Sequence, residues 1–444
     1  ALDSNTTGAD NVAMGTDALQ ANTTGNRNVA IGKDALTTSH NGDDCVAIGK
    51  GALSANTGGE NIAVGTSAAD ANTSGVRNIA VGTNAYGASD TENDNLAIGH
   101  SAMSTNTAGG TENIAIGNYA LDALSSGDNN VALGRNAGGQ ITTAGQNVYV
   151  GNSAASGANV AGDYVTIVGY SAGVLNQVDS TVAVGSYAAA ANTTGANITA
   201  IGRNCLDANT TGSENTAVGS GALGANTTGS RNLAIGVGAY NSSDTENDNC
   251  AVGYNALTTN TAGGNGNTAV GNYAGDAITS GDYNTCLGMY GGSDLTSGTN
   301  CIMLGYQAGL SNSPAHTQNG TNRIVLGNND ITDCYIKVDW SVTSDERDKM
   351  NFAEVPHGLS FVNDLKPIKF DFKKSRDDET PHGKTKYGFK AQDILALEGD
   401  NPIIINNEDE NKLSVTNSHL IPVLVNAIQE LSAKNDALLA RIET

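Results

Sequence analysis

A short alternation of apolar and small residues recurs along the first three quarters of the chain. Each copy reads Asn, then Val, Ile or Leu, then Ala, then a second aliphatic residue, then Gly, and an Ala follows three residues later. The stretch from Asn28 to Ala35 shows the full pattern. Alternation over a few residues that ends at a glycine predicts one short β-strand in each copy.

The copies form a repeat with a nearly constant period. The glycine returns at intervals of 16–18 residues until a final interval of 22, the Ala occurs in 16 of the 19 copies, and Asn opens 13 of them. The repeat glycines are Gly15, Gly32, Gly49, Gly65, Gly82, Gly99, Gly117, Gly134, Gly151, Gly169, Gly185, Gly202, Gly219, Gly236, Gly253, Gly271, Gly288, Gly305 and Gly327. The heptapeptide Ser89–Asn95 also returns as Ser243–Asn249, 154 residues later, which indicates that nine copies were duplicated as a block.

This repeat predicts a mainly β fold, a parallel β-solenoid or β-roll with about 19 coils of about 17 residues. Each coil covers the edge of the next, so that Asn stacks on Asn and Ala on Ala. We expect the glycine to form a corner with positive φ and the Asn side chain to bond its own turn. We expect the following Ala to permit close approach of a neighbouring coil or of another subunit.

Residues 5–310 resemble the head repeats of trimeric autotransporter adhesins in the pattern Asn-x-Ala-x-Gly-x-x-Ala. Those heads are left-handed parallel β-rolls that associate as trimers, so the resemblance implies a trimeric shaft. The period of about 17 residues is longer than the usual unit of those heads, and the resemblance therefore does not extend to coil length.

The composition changes at residue 344, where Lys, Phe and Pro become more frequent and the Asn-Thr-Gly phrases end. Five motifs follow in order: Ser344–Lys349, Leu365–Phe370, Tyr387–Ile394, Leu413–Val415 and Leu420–Leu431. Together they resemble the endosialidase-type intramolecular chaperone auto-processing domain of phage tailspikes and tail fibres. The resemblance covers residues 344–444 and implies a small α+β domain that trimerises and cleaves its own chain.

The resemblance also implies a Ser/Lys pair, in which Ser344 is the nucleophile and Lys349 its base, and cleavage of the Thr343–Ser344 bond. Asp345 and Arg347 belong to the same motif, and we expect them to shape the site or the trimer contacts. A serine hydroxyl needs a base, and a desolvated lysine can act as one. We expect a single self-cleavage with no external substrate. The alternative is an ordinary charged helix start.

The C-terminal segment predicts a long helix with a coiled-coil seam, because apolar residues recur at alternating intervals of three and four. The seam consists of Ile421, Leu424, Ile428, Leu431, Asn435, Leu438 and Ile442. The polar Asn435 can fix the register and the trimeric state. The alternative is an amphipathic helix that packs on its own domain.

Three segments follow from these patterns: a solenoid shaft at 1–310, a cap or neck with the cleavage junction at 311–343, and the chaperone domain at 344–444. The stretch Tyr335–Trp340 alternates and predicts strands that close the end of the solenoid. Trp340, the only tryptophan, is either a cap residue or a receptor contact. Ala1 lies inside a repeat-like phrase, which indicates that a native N-terminal attachment region is missing.

Charge and composition restrict the classes of partner and cofactor that we expect the chain to bind. Residues 1–340 contain 9 Lys and Arg against 27 Asp and Glu, in a chain of net charge −23, which disfavours nucleic acid and anionic lipid. The chain has no run of roughly 18 apolar residues that could insert into a membrane. The six cysteines lack CxxC spacing, so we expect buried thiols and no metal. We expect no cofactor either, since no phosphate loop is present. The acidic loop Ser89–Asn95 is a solvated loop or, alternatively, a Ca²⁺ site.

The resemblance to the endosialidase-type chaperone domain implies a viral structural protein: a phage tail fibre or tailspike that binds a host-surface glycan or protein and is trimerised and matured by its own chaperone. It is made in the host cytoplasm, joins the virion, and contacts other tail proteins through the missing N-terminal region. One alternative is a tailspike depolymerase, although aromatic residues and paired carboxylates for sugar cleavage are scarce. Another is a bacterial trimeric surface adhesin.

Overall fold

The computed structural model describes residues 1–39, 41–106, 109–157, 162–315, 318–337, 341–373, 376–400, 402–408 and 410–442. Trp340 lies outside these residues. Each repeat forms one strand of three residues. The strands are β1 (Val12–Met14), β2 (Val29–Ile31), β3 (Val46–Ile48), β4 (Ile62–Val64), β5 (Ile79–Val81), β6 (Leu96–Ile98), β7 (Ile114–Ile116), β8 (Val131–Leu133), β9 (Val148–Val150), β10 (Thr166–Val168), β11 (Val182–Val184), β12 (Thr199–Ile201), β13 (Thr216–Val218), β14 (Leu233–Ile235), β15 (Cys250–Val252), β16 (Thr268–Val270), β17 (Thr285–Leu287), β18 (Ile302–Leu304) and β19 (Ile324–Leu326).

These strands form one parallel sheet, in which each strand pairs with the strand of the next coil. The pairing keeps every repeat position in register, so that Ala13 lies opposite Ala30 and Ala30 opposite Ala47. Hydrogen bonds also join successive coils outside the strands, as from Leu19 N to Ala35 O at 3.0 Å. Because each coil satisfies backbone groups of its neighbour, the coils stack as a solenoid. The predicted parallel β-solenoid is confirmed.

Small residues fill the narrow interior of each coil. The central residue of a strand, such as Ala30, is fully buried, whereas its neighbours Val29 and Ile31 remain partly exposed on the outer face. Ala35 and Leu36 follow the corner and are also fully buried. The Ala three residues after the glycine therefore packs inside its own solenoid. The expectation that this Ala could meet another subunit is wrong.

The repeat glycine forms the corner that follows each strand. Gly134 has a φ of +137°, and a Cβ at this position would lie 2.5 Å from the carbonyl oxygen of Gly151 in the next coil. Residues with a side chain rarely adopt this φ, and the next coil leaves no room for one. The predicted corner with positive φ is confirmed.

Two columns of buried asparagine run through the solenoid. In the outer turn, Asn22 Oδ1 accepts a hydrogen bond from Gly25 N at 3.1 Å, so this side chain bonds its own turn. Asn28, just before the strand, instead bonds the next coil: its Oδ1 accepts from Cys45 N at 2.9 Å, and its Nδ2 donates to Gly42 O at 2.7 Å. The expectation that this second kind of Asn bonds its own turn is wrong. It joins coil to coil in the interior, where an unpaired amide would be costly.

The cysteines of the described residues are free thiols, and Cys45, Cys205, Cys286 and Cys301 are buried as expected. Cys250 is only partly buried, and Cys334 is exposed, so the expectation of a buried thiol is wrong for Cys334, which lies beyond the solenoid coils. Cys45 occupies the position at which most repeats carry Asn, and its Sγ donates to Gly58 O at 3.3 Å, which is the acceptor position that Asn uses in other coils. Burial raises the pKa of Cys205 and of Cys286 to about 12, so both thiols stay neutral at pH 7. These cysteines therefore act as interior packing residues.

The chain divides into two compact units, the solenoid unit of Ala1–Ser311 with His316–Leu326 and a second unit of Asn312–Ala315 with Gly327–Thr444. The second unit contains a 3-10 helix (Glu346–Asp348), α1 (Leu359–Asp364), β20 (Ile368–Lys373), β21 (Pro381–Gly388), α2 (Ala391–Glu398), β22 (Ile405–Asn406), β23 (Ser414–Val415) and α3 (Asn417–Ile442). β20 pairs antiparallel with β21, and β22 with β23. Its core consists of Phe361, Ile394, Ile404, Ile405, Leu420 and Val423. The predicted small α+β region with a terminal helix is confirmed.

The neck that follows the last coil is irregular. β19 pairs with β18 and ends at Leu326, and residues 327–337 contain no strand. Of the stretch Tyr335–Trp340, the last three residues lie outside the described part of the chain. The strands expected in the neck are thus absent from the part that the structure describes.

Candidate active site at the Ser344 junction

A short turn follows Ser344 and reverses the chain. Asp345 is the N-cap of the 3-10 helix, and its Oδ1 accepts a hydrogen bond from Arg347 N at 2.9 Å. At the other end of the helix, Lys349 N donates to Glu346 O at 3.1 Å. An aspartate suits the first position because its side chain pairs a backbone N–H that the helix leaves free. The turn brings the two ends of the Ser344–Lys349 motif together.

The two residues expected to form the catalytic pair are in contact. Lys349 Nζ lies 2.6 Å from Ser344 Oγ, which is hydrogen-bond distance. A protonated lysine donates to the hydroxyl, whereas a neutral one can accept its proton and leave an alkoxide nucleophile. A separation of five residues along the chain leaves this distance undetermined, and the local turn supplies it. The catalytic roles of the two residues remain predictions.

Asp345 and Arg347 form an exposed ion pair beside this contact. Arg347 Nη2 lies 2.6 Å from Asp345 Oδ2. The hydrogen bond from Arg347 lowers the pKa of Asp345, so the carboxylate stays charged. An exposed pair of this kind adds little to stability, but it restrains the turn between residues 344 and 349.

Ser344 and Lys349 are both exposed in the single chain. A lysine becomes a useful base where its surroundings disfavour the charged form, and bulk water favours that form. The described residues of the single chain leave Lys349 in contact with solvent. If the amine is activated by desolvation, other contacts would have to supply it.

Two polar residues that carry no signal in the sequence hold the backbone downstream of the junction. Asn426 Nδ2 donates to His357 O at 3.0 Å, and Glu430 Oε2 accepts from Leu359 N, at the start of α1, at 2.9 Å. Both side chains project from α3, so the terminal helix fixes the segment that leads away from the cleavage motif. Asn and Glu are ordinary residues on a helix surface, and only the fold distinguishes these two.

Helix α3 presents two apolar faces. Leu420, Val423 and Ala427 are buried on one face. The coiled-coil seam lies elsewhere on the helix and is exposed throughout. It comprises Ile421, Leu424, Ile428, Leu431, Asn435, Leu438 and Ile442. The helix therefore packs on its own domain through one face, as the second interpretation expects, and leaves the seam residues exposed. The coiled-coil seam stays a prediction. None of the described helices is long and apolar enough to cross a membrane.

The acidic loop considered as a Ca²⁺ site uses its buried carboxylate internally. Glu92 Oε1 accepts from Gly109 N at 3.0 Å, and Oε2 accepts from Asp90 N and Thr91 N, both at 3.0 Å. Glu246 makes the same contacts nine coils later. A carboxylate that faces three N–H donors closes a loop and is poorly arranged for a cation. Among the described residues, no group of three or more His, Cys, Asp or Glu could hold a metal ion.

Comparison with known proteins bears on the C-terminal segment. Residues 344–400 match the model of the family described as the chaperone of endosialidase. The match begins at Ser344 and includes the first three of the five motifs. No curated protein matches the chain. The resemblance that the motifs indicated is confirmed for this segment: the β-solenoid is followed by residues that match the endosialidase chaperone model.

Proposed function

We propose that the chain is the shaft of a phage tail fibre or tailspike, folded as a homotrimer by its C-terminal chaperone and then cut from it. The family match and the long solenoid support a protein of the tail-fibre type. Within this proposal, residues 1–310 are the shaft, 311–343 the neck and 344–444 the chaperone. The mature shaft binds a glycan or protein on the host surface and joins other tail proteins in the virion.

The outer face of the sheet supports the trimer. The residues that flank the centre of each strand are aliphatic in most coils and partly exposed; Ile62 and Ile235, for example, are 37% and 40% exposed. A second copy of the same solenoid is the partner that fits, because its rows repeat at the same spacing of about 4.8 Å. Contiguous exposed apolar surface of this length marks an interface. The exposed seam of α3 supplies a second surface for the same assembly.

A repetitive trimer needs a device that sets its register. Every coil presents nearly the same residues, so three chains can align out of step by whole coils. Long-range pairing of this kind is also slow, because bringing distant segments together costs chain entropy before any stabilising contact forms. A trimeric helix at one end fixes the alignment before the sheet faces pair. Later cleavage removes the trimeriser and leaves the shaft kinetically trapped.

The cleavage chemistry follows from the contact at the junction. Neutral Lys349 takes the proton of Ser344 Oγ, and the oxygen attacks the carbonyl carbon of Thr343. The C–N bond of the Thr343–Ser344 peptide breaks as the Ser344 nitrogen takes a proton, which leaves an ester between Thr343 and Ser344 Oγ. Water then hydrolyses this ester to a carboxylate on Thr343 and restores the hydroxyl of Ser344. A single turnover completes the function.

The observation that carries the proposal is the 2.6 Å contact between Lys349 and Ser344, at the residue where the family match begins. Intact-mass measurement of the denatured protein tests it. We expect wild type to give two pieces, 1–343 and 344–444, and Ser344→Ala to give the intact chain. Lys349→Arg should also stay intact, because a guanidinium keeps the charge and cannot act as the base.

Matched controls separate the chemistry from folding. Asp348→Asn changes the same turn and leaves both members of the pair, so it should still be cut. An intact wild-type chain, or cutting of Ser344→Ala at the same bond, would show that Ser344 is not the nucleophile.

A further inference from the structure

Four tyrosines line one corner of four successive coils. Tyr254, Tyr273, Tyr290 and Tyr306 each stand one or two residues after a repeat glycine, and we call them the tyrosine row. The ring centroids of Tyr254 and Tyr273 lie 5.3 Å apart, and those of Tyr273 and Tyr290 lie 5.0 Å apart with nearly parallel planes. All four rings are exposed in part, from the first coil of the row to the last. Tyr254, Tyr273 and Tyr290 therefore form a contiguous aromatic cluster on the solenoid surface, and Tyr306 follows one coil later.

The backbone does not favour tyrosine at these positions. Tyr273 and Tyr290 have φ values of 57° and 56°, in the left-handed region that bulky side chains avoid. The equivalent position in other coils carries residues suited to this region, such as Asn84, Asn136 and Asn204. Tyr119 and Tyr187 occupy the same position in other coils with φ values of 62° and 59°, so this backbone conformation belongs to the repeat and tyrosine is tolerated in it.

The row differs from the surface that we assign to the trimer. The outer columns of the sheet are aliphatic in most coils, with threonine in five strands of one column, such as Thr199 and Thr216. The corner that carries the row is polar in most coils, for example at Thr16, Lys33 and Thr66. Rings in contact on consecutive coils also occur as pairs, His100 with Tyr119 and Tyr170 with Tyr187, whereas the row joins three rings in sequence, Tyr254, Tyr273 and Tyr290.

The charges near the tyrosine row restrict the charge of a ligand that can bind there. Asp276, on the coil of Tyr273, and Asp294, one coil later, place negative charge beside the row. The shaft as a whole carries three times as many acidic as basic residues. An anionic ligand is repelled by such a field. A tyrosine combines an apolar ring face with a hydroxyl that bonds polar groups, and a saccharide presents the complementary combination of C–H faces and hydroxyls.

We propose that the tyrosine row is a binding track for a neutral saccharide chain, with successive sugar rings lying on Tyr254, Tyr273, Tyr290 and Tyr306. The proposal rests on the proposed function, and it assigns host recognition to the flank of the last coils.

An array of immobilised neutral and acidic oligosaccharides tests the track, with the full wild-type protein as the probe. We expect binding to at least one neutral oligosaccharide and no binding to acidic ones. The double variant Tyr273→Asn with Tyr290→Asn should bind about tenfold more weakly or less, since two ring faces are lost. Its thermal stability should not fall, because Asn suits the left-handed backbone that tyrosine strains.

A matched control lies on the same solenoid. Tyr283 is exposed, has a φ of 55° and precedes its strand, so it is not part of the row. Tyr283→Asn should bind like wild type. Absence of wild-type binding to any neutral oligosaccharide, equal loss in the Tyr283→Asn control, or a reduced trimer mass in the double variant would each overturn the proposal. Self-cleavage and trimer mass of the wild type report on the proposed function separately, and both can hold while the track fails.

Discussion

At the scale of single residues, the repeat glycines are the positions where the fold most clearly restricts which residue can be present. We expect Gly134→Ala to destabilise its coil by about 1–3 kcal/mol, because the backbone strain and the contact with Gly151 O act together. Native-state hydrogen exchange around residue 134 is the appropriate measurement, since a solenoid can open locally.

Gly221→Asn is the control for this glycine. Gly221 also has a positive φ, but a Cβ there meets nothing closer than 3.5 Å, and Asn is common at this position in other coils. It should leave the exchange rates of its coil unchanged. Unaltered exchange in the Gly134→Ala variant would show that the corner can relax.

The partly buried carboxylate of Asp276 should make the solenoid sensitive to pH. Burial, reinforced by Asp294, raises the pKa of Asp276 from 3.8 to about 6. The folded chain thus holds this proton more tightly than the unfolded chain. Stability contributed by the protonated form is present at low pH and is lost as the pH rises from about 4 through about 6. We expect faster local opening of the coil around Asp276 at pH 7 than at pH 5, measured by hydrogen exchange corrected for intrinsic rates.

Asp276→Asn should remove this pH difference, because the amide does not titrate. Asp10→Asn changes the charge at an exposed site and should keep the difference. The idea fails if Asp276→Asn retains the wild-type pH dependence.

Residue identity predicted some contacts and not others. The glycine corner follows from steric rules alone, so it could be predicted. The Asn columns could not, because Asn22 and Asn28 have the same chemistry, and only the fold shows that one bonds its own turn and the other bonds the next coil. The Ser344 and Lys349 contact likewise depends on a three-residue helix that no spacing rule specifies.

Among the secondary-structure elements, helix α3 allows the most direct test of the proposed trimer. Ile428 lies on the exposed seam, and Ile428→Asp places a charge where three helices would meet. We expect the trimer to dissociate into monomers, as measured by light scattering of the Ser344→Ala protein, in which the helix stays attached. Gln429→Asp adds the same charge beside the seam and should remain trimeric. A trimer in both variants would rule out the seam as the contact.

Strand positions were predictable from the alternation, but the direction of their side chains was not. In a strand of three residues, Val29 and Ile31 could face inward as well as Ala30. The structure turns the central residue of each strand inward, where it shares the interior with the leucines that follow the corner, and the two flanking residues face outward. The prediction of strands in the neck was wrong for a related reason. The sequence around Tyr335 and Ile336 alternates as in a strand, but no described segment pairs with these residues.

For the whole molecule, cleavage should depend on assembly. Ser344 and Lys349 are open to solvent in one chain, so in the proposed mechanism other copies would have to exclude water from the pair. We expect the cut fraction per chain to rise with chain concentration during synthesis in a cell-free system, as followed by gel. Ile428→Asp should remain uncut at every concentration. A cut fraction independent of concentration would place the complete site within one chain.

The nine-coil duplication has a consequence for how such a gene changes. Ser89–Asn95 and Ser243–Asn249 precede β6 and β15 at the same repeat position, and the buried Glu92 and Glu246 close their loops alike. Recombination between the two copies would delete 154 residues and join Asn95 to Cys250 with every coil still seated on an equivalent neighbour. The reverse exchange would add the same length. The length of the solenoid is therefore a quantity that this gene can vary in steps of nine coils, without the evolution of a new contact between coils.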